Sequence, residues 1–353
     1  MNDEFGGFDV AVVGGGVAAT MCASSLADQG LKVIVLADSS SLMHELGLSR
    51  LNVADTEELA QQLPEFQSWV NLISCFNGRK GNAFEPILVQ LLADRFMQRK
   101  KIEVLFEVRP VQLLLDENQL PCGVQIATRS GLRNIPCQAV VDCSDHASLM
   151  SGLGIKVEVN PESVSSIWTL TMIGGDPIEQ PVGFTFEMNE ARYEVRVQPS
   201  YWEGELAISV AVSSLKPEHR EELAVMAVLE GLLQLLREQA NFQLGNLIHV
   251  CERPWAVPAF IWKENSSTSM NAEAPPLWSG HDQGRIIGIG PWVEAIADRI
   301  SAVSKWRQGE TAMNLLIHSS VEAGKRIAVT LAEGGSSISL KDGNPQSLSR
   351  VQK

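Results

Sequence analysis

The sequence is short of positive charge. Against 42 acidic residues it carries 28 lysines and arginines, a formal net charge of -14, and its densest cationic run is the short Arg99-Lys100-Lys101. Such a surface cannot neutralise the phosphates along a duplex, so nucleic acid is excluded as the natural partner. Long apolar runs are missing as well. No stretch reaches the roughly 18 apolar residues that a membrane span requires, and the acidic opening MNDEFGGFD lacks the apolar region of a secretory signal. The expected location is the cytoplasm.

Cysteine is present without pattern. Cys22, Cys75, Cys122, Cys137, Cys143 and Cys251 include no C-x-x-C pair, which excludes a zinc ribbon, an iron–sulfur cluster and a thioredoxin-type dithiol. Buried free thiols are expected instead. His44, His146, His219, His249, His281 and His318 show neither H-E-x-x-H nor any other metal-ligand spacing, so no metal site is expected. The absence of G-x-S-x-G removes the usual hydrolase arrangement. There is no internal repeat.

What remains is a 353-residue chain with 45% hydrophobic and 20% charged residues, long enough for two lobes with substantial cores. Its most informative stretch is DVAVVGGGVAATMCASSLADQGLKVIVLADSS, residues 9–40. The apolar Val10–Val13 reads as a buried parallel strand stopping at three glycines. A helix follows, closed by Gly30 in the C-cap place, and LKVIVLA reads as a second buried strand. Strand, glycine turn, helix and strand make one right-handed βαβ unit.

Gly14-Gly15-Gly16-Val17-Ala18-Ala19 matches G-x-G-x-x-G/A. Gly14 allows the sharp turn, Gly16 lets a diphosphate approach the backbone, and Ala19 keeps helix and strand close. Main-chain N–H groups at Val17 and Ala18 would face that diphosphate. The second strand of such a unit normally ends in an acid that accepts from ribose hydroxyls, yet Ala37 stands there and Asp38 follows. A 2′-phosphate in place of the acid is disfavoured, because Asp38 would repel it. Two readings stay open: Asp38 as a displaced ribose ligand, or a weakened or empty site.

Two further segments extend the pattern. FEPILVQLLADRFMQRKK reads as an amphipathic helix, followed by alternating strands at VQLLLD and CGVQIAT and an apolar return at AVVDCS. Near the C-terminus, GRIIGIG is a short apolar strand followed at a distance by the helix NLLIHSSVEAGKRIAVTLAEG. Together with the βαβ unit, these segments resemble the FAD-dependent oxidoreductases of the glutathione-reductase-like superfamily. The resemblance implies an α/β fold: a Rossmann-like FAD-binding domain with an inserted antiparallel-sheet substrate domain.

It also implies FAD as cofactor, a valine near the adenine at Val108, a D-A-T-G-D-A-D-like strand end at Asp142–Ser148 with Ser144 in the threonine place, and Gly290 beside the ribityl chain. Ala323 and Gly324 match the end of the family's closing helix pattern, with Ser319 and Ser320 replacing its threonine and first glycine. Departures stand at Ala37, at Asp145 in the glycine place and at Pro291 in the Arg or Asp place.

The expected organisation is an FAD-binding domain in residues 1–150, a substrate or cap domain in 151–284, the closing strand and helix in 285–333, and a disordered tail in 334–353. Within the middle, VGFTFEM, RYEVRVQP and ELAISVAVSS alternate as antiparallel strands, and PEHREELAVMAVLEGLLQLLREQANF is a covering helix. Trp168, Trp202, Trp255 and Trp262 are read first as core and second as an aromatic pocket. The polar stretch from Lys263 reads as a mobile loop able to act as a lid.

In flavoenzymes the cofactor carries the electron chemistry, so the lack of an evident acid–base pair is compatible with an oxidoreductase. No catalytic residue is assigned, and His146 is weighed as a proton-transfer group against a plain surface histidine. The function expected is oxidation or reduction of an unidentified small molecule. The alternative is a non-catalytic descendant that keeps the fold as a binding or assembly subunit, with a protein partner, and has weakened or lost the cofactor site.

Overall fold

In a computed structural model of the chain, the residues described are 6–51, 56–118, 120–144, 149, 157–159, 164–174, 178, 181–188, 191–213, 222–238, 245–256, 260–262, 277–279, 286–289 and 305–334. The first strand, β1 (Phe8–Val13), is apolar on both faces and runs into the glycine turn. Helix α1 (Val17–Asp28) begins at Gly16 without a side-chain cap and is buried from Val17 to Leu26. Its end is a Schellman turn, with Gly30 at φ +81, Gly30 N donating to Ala27 O and Leu31 N to Leu26 O. Strand β2 (Val33–Leu36) completes the expected unit and pairs in parallel with β1.

Three helices follow that the periodicity of the sequence did not reveal: α2 (His44–Gly47), α3 (Thr56–Gln62) and α4 (Pro64–Cys75). The first two are too short for a 3.6-residue pattern to register. The third starts on Pro64 and buries Phe66, Trp69, Val70 and Ile73. A short hairpin of β3 (Arg79–Lys80) and β4 (Ala83–Phe84) leads to α5 (Pro86–Arg99), whose N-cap Glu85 accepts from Leu88 N at 2.6 Å. Strand β5 (Glu103–Leu105) then joins β2 in parallel.

The meander comes next, as β6 (Arg109–Leu115), β7 (Pro121–Thr128) and β8 (Gly131–Asp142). Strand β8 serves two sheets' worth of pairing: residues 131–136 lie antiparallel to β7, whereas Cys137–Asp142 run parallel to β1. The main sheet has the order β17-β18-β8-β1-β2-β5, with β17 (Leu277–Ser279) antiparallel to β18 (Ile286–Ile289) and the other neighbours parallel. Helices α1, α4 and α5 and the closing helix α7 (Lys305–Gly334) cover one face through Val10, Val12, Met21, Phe66, Trp69 and Ile317. Val13, Ile34, Leu36, Val124, Ile126 and Val140 pack on the other. Burial on both faces explains the unbroken apolar strands.

The second lobe is an antiparallel sheet in the order β11-β12-β13-β10-β14, with β15 (Trp255–Ala256) also on β10. Strands β11 (Val182–Met188), β12 (Ala191–Pro199) and β13 (Glu205–Ser213) are the three expected. Helix α6 (Glu222–Glu238) lays Leu229, Leu232 and Leu236 on the sheet's core, as a covering helix should. The central strand β10 (Val164–Ile173) and its neighbour β14 (Asn246–Val250) were not legible. In β10, Thr169 and Thr171 are as buried as Leu170 and Met172, so polar alternation does not mark a solvent face. Strands β9 (Val157–Val159) and β16 (Phe260–Trp262) form a separate pair.

Two expectations are corrected. The stretch from Lys263, read as loop throughout, contains β17, whose hydrogen bonding to β18 orders it at the edge of the main sheet; the rest of that stretch lies outside the described residues. The six cysteines are free, but Cys75 and Cys122 are exposed rather than buried, because Cys75 ends α4 and Cys122 faces outward near the start of β7. Asp145, His146, Gly290, Pro291 and the tail beyond Gly334 lie outside the described residues.

Candidate functional site at the first glycine turn

The main sheet reverses its order at β1: β2 lies on one side, and β8, much later in sequence, on the other. In open α/β sheets a crevice forms beyond the carboxyl ends of the strands at such a reversal. The glycine turn stands at that point. Gly14 adopts φ +121, and a Cβ there would lie 2.7 Å from the carbonyl oxygen of Cys143, so both conformation and space demand glycine. Asp142, 1% exposed, orders the facing exit of β8: Oδ1 accepts from Ser144 N at 3.0 Å and Ser144 Oγ at 2.6 Å, while Oδ2 accepts from Leu149 N at 2.9 Å. Its part is to hold the chain where it passes Gly14. Ser144 is thus tied to Asp142 and half-buried.

The segment after β2 folds back over the turn. Ala37 O accepts from Val108 N at 3.0 Å and Ser39 O from Glu107 N at 3.2 Å, so the Val108 amide is spent on the protein itself. Gly15 O accepts from Met43 N at 2.7 Å, and a Cβ on Gly15 would meet Ser39 Oγ at 2.5 Å. Met43 is left-handed, φ 51, a conformation that reverses the chain into α2 and points it back at the turn. The residues it delivers there, His44 and Glu45, are 2% and 3% exposed.

Glu45 reaches the start of α1. Val17 N–H donates to Glu45 Oε2 at 2.9 Å, and a Cβ on Gly16 would stand 2.2 Å from Glu45 Oε1. His44 Nε2 lies 4.0 Å from Glu45 Oε2. A buried carboxylate at a helix N-terminus is held by free amides and by the positive end of the helix dipole. This is the place expected for a diphosphate. As arranged, the amide of Val17 and the space before Gly16 belong to Glu45, so the residues described do not fit the FAD diphosphate here.

The other expected site residues fall as follows. Ala18 and Ala19 are buried in the first turn of α1, Ala19 fully. Asp38 is half exposed, and its Oδ2 lies 3.6 Å from Arg253 Nη2 in the second lobe. Gly14, Gly16, Val17, Ala18, Ala19 and Ser144 therefore cluster around the turn, Asp38 and Val108 lie beyond β2, and Gly290 is outside the described residues. Sequence reasoning missed Glu45. Its only signal is an acid following a histidine in a segment where the resembled family's paired glycines are missing.

Helix α7 closes the unit from behind. Gly324 lies against α1, where a Cβ would be 3.0 Å from Ser25 Cβ and 3.1 Å from Cys22 O, and Ser25 Oγ donates to Val321 O at 3.3 Å. The small residues at Ala323 and Gly324 thus serve helix packing. Between the lobes, Arg50 Nη1 donates to Thr171 Oγ1 at 3.3 Å, and Tyr201 Oη donates to Asn77 O. Burial, then Arg50, lowers the pKa of His249 beside them, with Glu252 acting the other way. Trp255 is buried, Trp168 half-buried and Trp202 exposed, which places these three in different surroundings; the side chain of Trp262 is outside the description. Among the described residues no group of three or more His, Cys, Asp or Glu is placed to hold a metal, and no helix is long and apolar enough to cross a membrane.

Comparison with solved structures places this architecture among flavoproteins. A geranylgeranyl bacteriochlorophyll reductase-like protein from Thermoplasma acidophilum superposes with a TM-score of 0.61 at 14% identity, over 94% of this chain and 80% of that one. A p-nitrophenol 4-monooxygenase from Pseudomonas putida gives 0.59 at 12% identity, over 93% and 81%. An aklavinone-11 hydroxylase, solved with FAD and aklavinone, gives 0.57 at 12%, over 95% and 64%. At such identities the likeness is one of fold. No curated protein sequence matches. The profile described as FAD dependent oxidoreductase matches residues 9–207, more than half of the chain and all of the glycine turn, β8 and β10 to β12. The chain therefore belongs to the FAD dependent oxidoreductase family, a family of enzymes whose cofactor is FAD.

Proposed function

We propose that the protein is an FAD-dependent oxidoreductase of the glutathione-reductase-like superfamily that oxidises or reduces a small molecule held between its two lobes. The observation that carries this reading is a glycine turn at the reversal point of the main sheet, within a chain that matches the family over residues 9–207. In this reading residues 1–150 and 285–333 form the cofactor domain, with β17 (Leu277–Ser279) added at the edge of its sheet, and the rest of residues 151–284 the substrate domain. With Glu45 displaced from the amide of Val17, Gly14, Gly16, Val17, Ala18 and Ala19 would receive the diphosphate, Asp38 the ribose, and Val108 the adenine, while Ser144 and Gly290 would border the rest of the cofactor.

The substrate class is left to the second lobe. Solved neighbours include hydroxylases, halogenases and reductases, and their shared fold supports a small organic substrate without choosing among them. A visible spectrum of natively purified protein, before and after incubation with FAD, tests the assignment. Flavin absorbance near 450 nm that survives gel filtration supports it; a colourless protein that takes up no FAD defeats it.

The competing reading is a non-catalytic member that keeps the fold as a binding or assembly subunit. It draws on one observation, the carboxylate of Glu45 at the start of α1. Stoichiometric flavin that a small donor reduces would remove it.

A further inference from the structure

The glycine turn is explained without a ligand. Gly14 gives way to the Cys143 carbonyl, Gly15 to Ser39 Oγ, and Gly16 to the Glu45 carboxylate. The last contact differs in kind from the other two, since it puts a carboxyl group, 3% exposed, on the amide at the front of a 12-residue helix. A diphosphate and a carboxylate cannot share that amide. The two compete for one N–H, one helix N-terminus and one small volume.

We propose that Glu45 is a built-in competitor of the cofactor: its carboxylate occupies the diphosphate subsite, and a dinucleotide binds only as Glu45 leaves. The inference rests on the flavoprotein reading above for the identity of the ligand, but not for the existence of the competition. The moving part is local. Segment 43–47 pivots on the left-handed Met43, carries a four-residue helix, and is held to the turn by Met43 N to Gly15 O and Val17 N to Glu45 Oε2. Because only the fraction of molecules with Glu45 displaced is competent, observed affinity falls by that fraction.

The experiment compares wild type with Glu45→Ala and Glu45→Gln, titrated with inorganic pyrophosphate, ADP and FAD by calorimetry and, for FAD, by flavin fluorescence. Glu45→Gln keeps the size and a hydrogen-bond acceptor, so it serves if the alanine variant is poorly folded; thermal melts verify both. The expected result is that ADP and FAD bind Glu45→Ala at least tenfold more tightly than wild type, with Glu45→Gln between them.

If wild type and both variants bind FAD equally, or the variants bind it more weakly, the competition is overturned while the flavoprotein reading stands. If pyrophosphate and ADP follow the expected order but FAD binds to none of the three, the competition stands and the flavin assignment falls. Folded variants that bind none of the probes overturn both.

Discussion

Gly14 and Cys143 are in backbone contact across the junction of β1 and β8: the missing Cβ of the one leaves room for the carbonyl of the other, which would lie 2.7 Å from it. The end of the first strand and the end of the last meander strand are thereby fixed together at the mouth of the candidate site. Gly14→Ala would have to adopt φ +121 and displace that carbonyl. Gly30, by contrast, has φ +81 with nothing within 4 Å of its missing Cβ. Gly30→Ala is expected to cost about 1–2 kcal/mol for the left-handed backbone alone, and Gly14→Ala a further 1–3 kcal/mol or so for overpacking. Urea midpoints of the two variants check the order; equal destabilisation would refute it.

The closing helix depends on a second close approach. Gly324→Leu forces a side chain between α7 and α1 at a place where even a Cβ stands 3.0 Å from Ser25 and 3.1 Å from the Cys22 carbonyl. A loss of about 1–3 kcal/mol is expected from overpacking. Denaturant unfolding would show it as a lower midpoint, and an unchanged midpoint would mean that α7 does not pack on α1 as described.

Thiol chemistry offers a test of burial. Cys75 and Cys122 are exposed, and the other four are not. Burial and the nearby Asp116 hold the Cys122 thiol above its ordinary pKa, against a backbone hydrogen bond; burial pushes Cys137 up to about 12 and raises Cys143 and Cys251. Since the thiolate is the reactive form, a colourimetric disulfide reagent at pH 8 should titrate two thiols in the native protein and six after denaturation. The Cys122 rate should keep rising as pH is increased. Four or more thiols reacting at once in the folded state would contradict the packing around β1 and α1.

Stability should fall on mild acidification. Burial lowers the pKa of both His249 and His318 from the ordinary 6.5, with Arg50 adding to the effect at His249 and Lys325 at His318. With the folded pKa below the unfolded one, the unfolded chain binds the extra proton first, so the stability these histidines contribute is present above pH 6.5 and is lost as pH drops through the folded values. His249→Gln and His318→Gln should each flatten the dependence of melting temperature on pH between about 6.5 and 5. A slope identical to wild type in both variants would show that these histidines do not sense folding.

Much of the cofactor domain could be read from residue order. A run such as Val10–Val13, three glycines, a helix of small residues and Gly30 as its stop are local signals, and each became the element expected, down to the Schellman turn at Gly30. The amphipathic helix α5, the meander and the three strands β11 to β13 were legible for the same reason: their pattern lies within one element. The helices α2 and α3 are too brief for a period, and β10 hides its alternation because both its faces are covered.

The sequence by itself determined the architecture of the first unit, because turn glycines, strand propensity and helix stops act over a few residues at a time. Only the tertiary structure decided what stands at the helix start. Whether the amides that G-x-G-x-x-A frees meet solvent, a ligand or a side chain depends on where residue 45 arrives, 28 positions beyond Val17. That arrival is set by the left-handed Met43 and by the packing of α2 against α5, through the contact of Gly47 with Gln90. No short-range pattern encodes it, since the cost of burying the carboxylate is offset by an amide and a helix dipole contributed by another segment of the chain.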